Sequence, residues 1–252
     1  MIRENNLVKA YAARANNTYS LLNTPIFSSC SKQDWEIIQR FTKFRSLKAQ
    51  EVLFWQNDAC HAFYYLVDGY LKLCRRNHKT ERVVGFVEPG QIFAESAVFA
   101  GDGYPYTAVA LEDLELIAVQ AYPFARFAQS RPQLTCRFIG HVSRCFHQQL
   151  WENEHLATQS AEQKVAAYLL NQCGQNSREN MALRVPKRRI DLASLLTMTP
   201  ETLCRTLKRF KNANWIKEQS GYITLTDPRA LNALLGSEAV VNFRFEDASR
   251  RQ

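Results

Sequence analysis

The run Ile190-Asp191-Leu192-Ala193-Ser194-Leu195-Leu196-Thr197-Met198-Thr199-Pro200-Glu201-Thr202-Leu203-Cys204-Arg205-Thr206-Leu207-Lys208-Arg209-Phe210 holds two apolar periodicities separated by a break. Ile190, Leu192, Ala193, Leu195 and Leu196 form the inward face of a first short helix. Leu203, Leu207 and Phe210 recur at i, i+4 and i+7 and form that of a second. Thr197-Met198-Thr199 is the turn. The second helix has a strong start signal. Thr199 is a hydroxyl N-cap, Pro200 stands where a missing N–H costs nothing, and Glu201 favours the positive end of the helix. With the three apolar residues turned inward, Glu201, Thr202, Cys204, Arg205 and Lys208 point outward. Two helices across a tight turn, with an Arg-bearing outer face, predict a helix-turn-helix.

Downstream, Trp215-Ile216-Lys217 and Tyr222-Ile223-Thr224-Leu225 flank Ser220-Gly221, which predicts a small hairpin, or wing. Charge supports a polyanion partner. The chain carries +8, with 17 basic and 15 acidic residues up to Thr158 and 15 basic and 9 acidic after it. Seven basic residues lie within 187–211 (Lys187, Arg188, Arg189, Arg205, Lys208, Arg209, Lys211) against Asp191 and Glu201. This is the footprint of a segment that binds double-stranded DNA; the plainer alternative is a solvated basic face. Glu201 and Arg205, four residues apart, admit two readings: an ordinary helix-surface ion pair, or base readout. In readout Arg205 donates to guanine O6 and N7, and Glu201 accepts from a cytosine amino group.

Working toward the N-terminus, Ser160 and Gln163 form a capping-box pair ahead of an apolar helix, and 174–180 reads as a loop. From Gln133 to His155 the period is helical. Leu134, Phe138, Val142, Cys145, Gln149 and Leu156 fall on one stripe, which predicts a coiled coil with a second copy of the chain; the alternative is a helix lying across its own domain. Between Ile26 and Val119 short apolar runs alternate with turn residues at the rhythm of an all-β unit. Asp68-Gly69, between Phe63–Val67 and Tyr70–Cys74, predicts a tight hairpin. The expected architecture is α+β. It comprises a polar N-terminal extension (1–20), a sensory β-roll or jelly roll (21–125), a long dimerisation helix (126–158), a winged helix-turn-helix (159–236) and a tail (237–252).

Seven widely spread cysteines without a CxxC pair read as reduced thiols, not as a zinc or iron–sulfur cluster. No apolar window approaches the ~18 residues a membrane helix needs, and the polar start lacks a signal region, so a soluble cytoplasmic protein with no membrane partner is expected. A cupin-like metalloenzyme would need clustered histidines, whereas His61 and His78 are isolated, so no enzyme is expected. A DNA-architectural protein without effector control is the other alternative.

The chain resembles the Crp/Fnr family of bacterial transcription regulators over nearly all of residues 21–235. The resemblance rests on His61-Ala62-Phe63-Tyr64-Tyr65-Leu66-Val67-Asp68-Gly69, Pro89-Gly90-Gln91-Ile92-Phe93-Ala94-Glu95 and Met198-Thr199-Pro200-Glu201-Thr202-Leu203-Cys204-Arg205. It implies a cyclic-nucleotide-binding-like roll, a homodimer and RNA polymerase as a further partner. DNA contacts are implied at Arg188, Thr199, Glu201, Thr202, Cys204, Arg205, Lys208 and Arg209. Phe93-Ala94-Glu95-Ser96 looks most like the Dnr-type nitric-oxide and denitrification branch, which makes haem the candidate cofactor. The family's pocket implies an effector between Phe93, Glu95, Tyr104 and Tyr106 on the roll and His141 and Cys145 on the helix; His141, Cys145 and His147 are the candidate axial ligands.

Several positions depart from the family pattern. Pro105-Tyr106-Thr107-Ala108 replaces the Arg that pairs with a cyclic phosphate, and a tyrosine cannot supply a bidentate cation, so no response to cyclic AMP is expected. Only Cys30 precedes residue 60, against the N-terminal cysteine cluster of oxygen-sensing members. Cys204 stands where the nitrogen-oxide branch has Ser. Thr197 stands where Gly is common, so either backbone strain at the turn or a different turn is expected.

Overall fold

The computed structural model describes residues 20–77, 80–175, 182–186 and 188–235. The extension before residue 20, His78, Lys187, most of the loop after Gly174 and the tail lie outside them. The chain forms two units, residues 1–150 and 151–252.

In the first unit, helix α1 (Lys32–Ile38) starts at a capping box not anticipated from sequence. Asp34 N–H donates to Ser31 Oγ at 3.1 Å, and Ser31 N–H donates back to the Asp34 carboxylate at 3.2 Å. Eight strands follow: β1 (Thr42–Leu47), β2 (Val52–Phe54), β3 (Ala62–Asp68), β4 (Leu71–Asn77), β5 (Thr80–Val87), β6 (Ile92–Phe93), β7 (Thr107–Ala110) and β8 (Leu114–Gln120). Helix α2 (Ala97–Ala100) lies between β6 and β7. The strands make two four-stranded antiparallel sheets, ordered β1-β8-β3-β6 and β2-β7-β4-β5. This is the expected β-roll.

The Asp68-Gly69 hairpin is corrected. β3 pairs with β8 and β6, whereas β4 pairs with β5 and β7, so the dipeptide turns the chain from one sheet into the other. The local signal was sound, since Gly69 has φ +100° and an added Cβ would sit 2.3 Å from Leu114 Cβ. A positive-φ dipeptide fixes the bend of the backbone but not which strand comes alongside.

Alternation along β3 builds two layers of core. Ala62, Tyr64 and Leu66 point between the sheets toward Phe54, Phe93, Tyr104 and Leu116. Phe63 and Tyr65 point outward, into a cluster with Trp35, Phe124, Leu134 and Phe138. That outer layer is covered by α1, α3 (Ala121–Gln129) and the first turns of α4 (Pro132–Thr158). The helical stretch expected as one element from residue 126 therefore breaks after Gln129 and restarts at Pro132.

The faces of α4 also differ from expectation. Leu134 and Phe138 are buried on their own unit, and Val142 packs against the same cluster. Among the described residues its exposed large apolar side chains are Ile139, Phe146 and Leu150. The stripe read from sequence through Leu134, Phe138 and Val142 is thus the face turned to the chain's own unit, the alternative that the sequence left open, and the exposed band lies about 100° round the helix from it, outside the stripe.

The second unit contains α5 (Ala161–Gln175), β9 (Ala182–Arg184), α6 (Arg189–Leu195), α7 (Pro200–Asn212), β10 (Ile216–Gln219), β11 (Tyr222–Leu225) and α8 (Pro228–Ala233). The sheet order is β10-β11-β9, antiparallel. The Ser160–Gln163 capping box is present, at 3.3 Å and 2.9 Å. Ser220 (φ +51°) and Gly221 (φ +81°) make the two-residue wing turn with the positive angles it needs. Ile190, assigned to the core, is instead exposed, while Leu192, Ala193 and Leu196 are buried. Sequence reading missed β9 and α8. No helix among the described residues is long and apolar enough to cross a membrane.

Candidate nucleic-acid interface and sensory site

Helix α7 is oriented by its inner face. Leu203, Thr206, Leu207 and Phe210 are buried, and Trp215 packs on Phe210 at a ring-centroid distance of 5.4 Å. Glu201, Cys204, Arg205, Lys208 and Arg209 are exposed as a consequence, with Thr202 half-buried. Thr199 caps the helix by accepting from the Thr202 N–H at 3.2 Å, and its hydroxyl lies 3.1 Å from that of Thr202. The first turn thus presents polar side chains at the positive helix end, a setting that suits phosphate. Before it, Thr197 has φ +53°, a left-handed conformation that a β-branched residue adopts only at a cost. Its hydroxyl accepts from Lys164 Nζ at 3.2 Å.

The basic residues of the segment separate into two groups. Arg209 is ion-paired to Glu162, and Arg189 and Lys211 both reach Glu218, the latter at 2.9 Å. Arg188, Arg205 and Lys208 are exposed and make no ion pair among the described residues. The Glu201–Arg205 ion pair is likewise absent among them. Glu201 is held by its own N–H and the Thr199 hydroxyl, which draw its carboxyl below the usual range. Arg205 is therefore uncommitted. Arg209, placed by sequence among the DNA contacts, is exposed and ion-paired to Glu162 of α5, a partner only the fold reveals.

In the first unit, Glu95 follows Ala94, a non-glycine residue at φ +63° whose N–H donates to Tyr106 Oη at 3.0 Å. This bend carries Glu95 to the flank of α4, where His141 and Cys145 stand one turn apart. His141 Nε2 lies 3.5 Å from the Glu95 carboxylate and 3.6 Å from Cys145 Sγ. Burial pulls the imidazole pKa down, but Cys145 and Glu95 outweigh it and lift the value to about 9. Burial, reinforced by the Glu95 charge, pushes the Tyr106 phenol far up, so it stays protonated.

Of the six residues assigned to an effector pocket, Glu95, Tyr106, His141 and Cys145 come together at this point. Phe93 and Tyr104 belong to a closed stack. Phe54 and Tyr104 lie face to face with centroids 3.8 Å apart, and Tyr64 stacks on Phe93 at 5.4 Å. Tyr104 is 2% exposed and its hydroxyl donates to Ala62 O at 2.7 Å, while Ala62 N–H donates back to it at 3.1 Å. Rings packed against one another leave no flat slot between them, so these residues, placed so, do not fit a haem plane. His147 is exposed beside Phe146.

Comparison with known proteins agrees with both units. Residues 44–131 match the cyclic nucleotide-binding domain, and residues 163–234 match the Crp-like helix-turn-helix domain. The chain is 30% identical over 193 residues to the nitrogen fixation regulation protein FixK of Bradyrhizobium diazoefficiens, covering 73% of this chain and 78% of that one. It is 25% identical over 205 residues to the transcriptional activatory protein AadR of Rhodopseudomonas palustris, covering 80% and 84%. In fold it is similar to FixK2 from Bradyrhizobium japonicum, with a TM-score of 0.71 at 18% identity, covering 77% of this chain and 96% of that one. The β-roll, the capped recognition helix with its wing, and the level of identity to FixK together make this chain a member of the Crp/Fnr family of DNA-binding transcription regulators.

Proposed function

We propose that this chain acts as a homodimer that reads a two-fold symmetric DNA site with α7 and is controlled by an effector bound in its N-terminal unit. The observation that carries the reading is the outer face of α7, where Arg205 and Lys208 are exposed and uncommitted beside the capped first turn. Arg205 reads guanine, Glu201 and Thr202 neighbour the same bases, and Thr199, Lys208 and Arg188 hold phosphates. Arg209 serves through its pair with Glu162, which fixes the helix. The partner copy covers Ile139, Phe146 and Leu150, three exposed apolar residues that recur on one side of α4. RNA polymerase is the further partner, and the cytoplasm the compartment, that such an activity requires.

The effector reading centres on Glu95, Tyr106, His141 and Cys145, which join the roll to the helix proposed for dimerisation. A ligand there biases the element that the two copies share. The relatives are named for nitrogen-fixation regulation and transcriptional activation, which favours regulated over architectural binding. Membership of the Dnr-type branch would add nitric oxide as a signal, a finer assignment that rests on Phe93-Ala94-Glu95-Ser96. Selection of bound duplexes from a random pool tests the reading. The expected product is a palindrome with half-site centres about 34 Å apart. Equal retention of all sequences would reject it in favour of architectural binding.

A further inference from the structure

Glu95, His141 and Cys145 form the one group of three or more metal-ligating side chains brought together among the described residues, with their carboxylate oxygen, ring nitrogen and sulfur all within 4.8 Å of one another. The triangle has the dimensions of a coordination face. A tetrahedral ion with bonds of ~2.0–2.3 Å sets neighbouring donors ~3.3–3.8 Å apart. The observed Nε2–Oε1 and Nε2–Sγ separations of 3.5 and 3.6 Å fall in that span. His141 Nε2 is the shared corner of the triangle, and the third side is no longer than 4.8 Å.

The placement of the donors points the same way. Glu95 has a side chain only 9% exposed and His141 17%, so both donors are held in the protein and not loose in solvent. Glu95 is aimed from behind, since Ala94 is held in its left-handed bend by Tyr106 Oη. Such a fixed backbone behind a ligand is the support that metal sites need. Cys145 is exposed, which leaves an entry path.

We infer that Glu95, His141 and Cys145 form a binding site for a zinc-type divalent d-block cation, with one coordination position open to solvent or an exogenous donor. The mixed O, N and S set selects this class. A thiolate disfavours Mg²⁺ and Ca²⁺, while carboxylate and imidazole suit Zn²⁺ and its neighbours. Cys145 binds as thiolate and His141 through a neutral imidazole nitrogen, and each gives its proton to solvent. The ion joins the segment after β6 to α4, and at ~100° per residue His141 and Cys145 lie roughly 140° round the helix from Ile139, Phe146 and Leu150. Occupancy and pairing of copies therefore use different faces, and the site stands on its own geometry whatever DNA the protein reads.

Full-length protein stripped with chelator and titrated with Co²⁺, a spectroscopic substitute for Zn²⁺, tests this. The expected result is one Co²⁺ per chain, a thiolate-to-cobalt charge-transfer band, the intense visible bands of four-coordinate cobalt, and displacement of all three by Zn²⁺. Cys145→Ser, at an exposed position that does not endanger folding, removes the charge-transfer band. Glu95→Gln and His141→Ala each weaken binding at least ~10-fold, and Cys136→Ser, at an exposed position outside the site, leaves cobalt uptake and its bands unchanged. A charge-transfer band that survives Cys145→Ser, or no stoichiometric uptake by the wild type, would overturn the inference. So would stoichiometric haem uptake with a Soret band shifted by His141→Ala or Cys145→Ser, which would give these donors to a porphyrin iron instead.

Discussion

Replacing Phe146 with Ala should dissociate the dimer without unfolding the chain. Phe146 is 61% exposed on α4. Of the ~200 Å² that a phenylalanine offers, about 120 Å² therefore awaits a partner. At ~25 cal/mol per Å² its burial contributes about 3 kcal/mol per copy, and truncation gives up roughly two-thirds of that. A symmetric interface contains the residue twice, so the loss approaches ~4 kcal/mol, roughly a thousandfold in Kd, as an upper bound. Sedimentation equilibrium over a concentration series measures it, with far-UV circular dichroism to check folding. Val142 is the informative contrast. It packs against its own unit's core, so Val142→Ala should lower the unfolding midpoint and leave the dimer constant largely intact. A Phe146→Ala dimer constant within about threefold of wild type would place the subunit contact elsewhere and refute the reasoning.

Three stability predictions follow from local geometry. Thr197→Gly relieves a left-handed β-branched residue at φ +53° and should raise the melting temperature of the second unit, a gain of about 0.5–1 kcal/mol after the flexibility of Gly is counted; an unchanged or lower value would deny the strain. Tyr104→Phe strips a buried hydroxyl that both accepts from Ala62 N–H and donates to Ala62 O, and urea unfolding should show a loss of about 1–3 kcal/mol. Asp34, whose carboxyl is held below its ordinary pKa first by the Arg131 guanidinium at 2.7 Å and then by Ser31, stabilises fully above its unfolded pKa of ~3.9 and loses that contribution as pH falls through the lower folded value. Asp34→Asn should accordingly flatten the acid limb of stability against pH, and an unaltered limb would show the pair to be without effect.

The second unit was legible nearly residue by residue because its determinants are local. The Thr199 cap, Pro200, the 203-207-210 face and the Ser220-Gly221 turn each act within four residues. The strain at Thr197, by contrast, was expected from the Gly common at that turn in the family and not from the residue itself. What escaped was long-range. Asp68-Gly69 announced a bend but could not announce that β3 pairs with β8 and β4 with β5, and the stripe on α4 could not be given to the chain's own unit until Leu134 and Phe138 were known to share a cluster with Phe63 and Phe124. Arg209 looked as available as Arg205 until α5 brought Glu162 against it. At the sensory site His141 and Cys145 were within reach as an i, i+4 pair. That Glu95 meets them while Phe93 and Tyr104 turn into a ring stack depends on the left-handed Ala94, a conformation its residue type does not signal.

The claim that α7 reads sequence through Arg205 is tested most directly by comparing wild type and Arg205→Ala on a selected palindromic duplex and on random duplex at one fixed salt concentration, by fluorescence anisotropy. The account predicts a loss of about 1–3 kcal/mol on the palindrome, about 5- to 150-fold in Kd, with less than about threefold on random DNA. Equal losses on the two duplexes would make Arg205 a phosphate contact and contradict it.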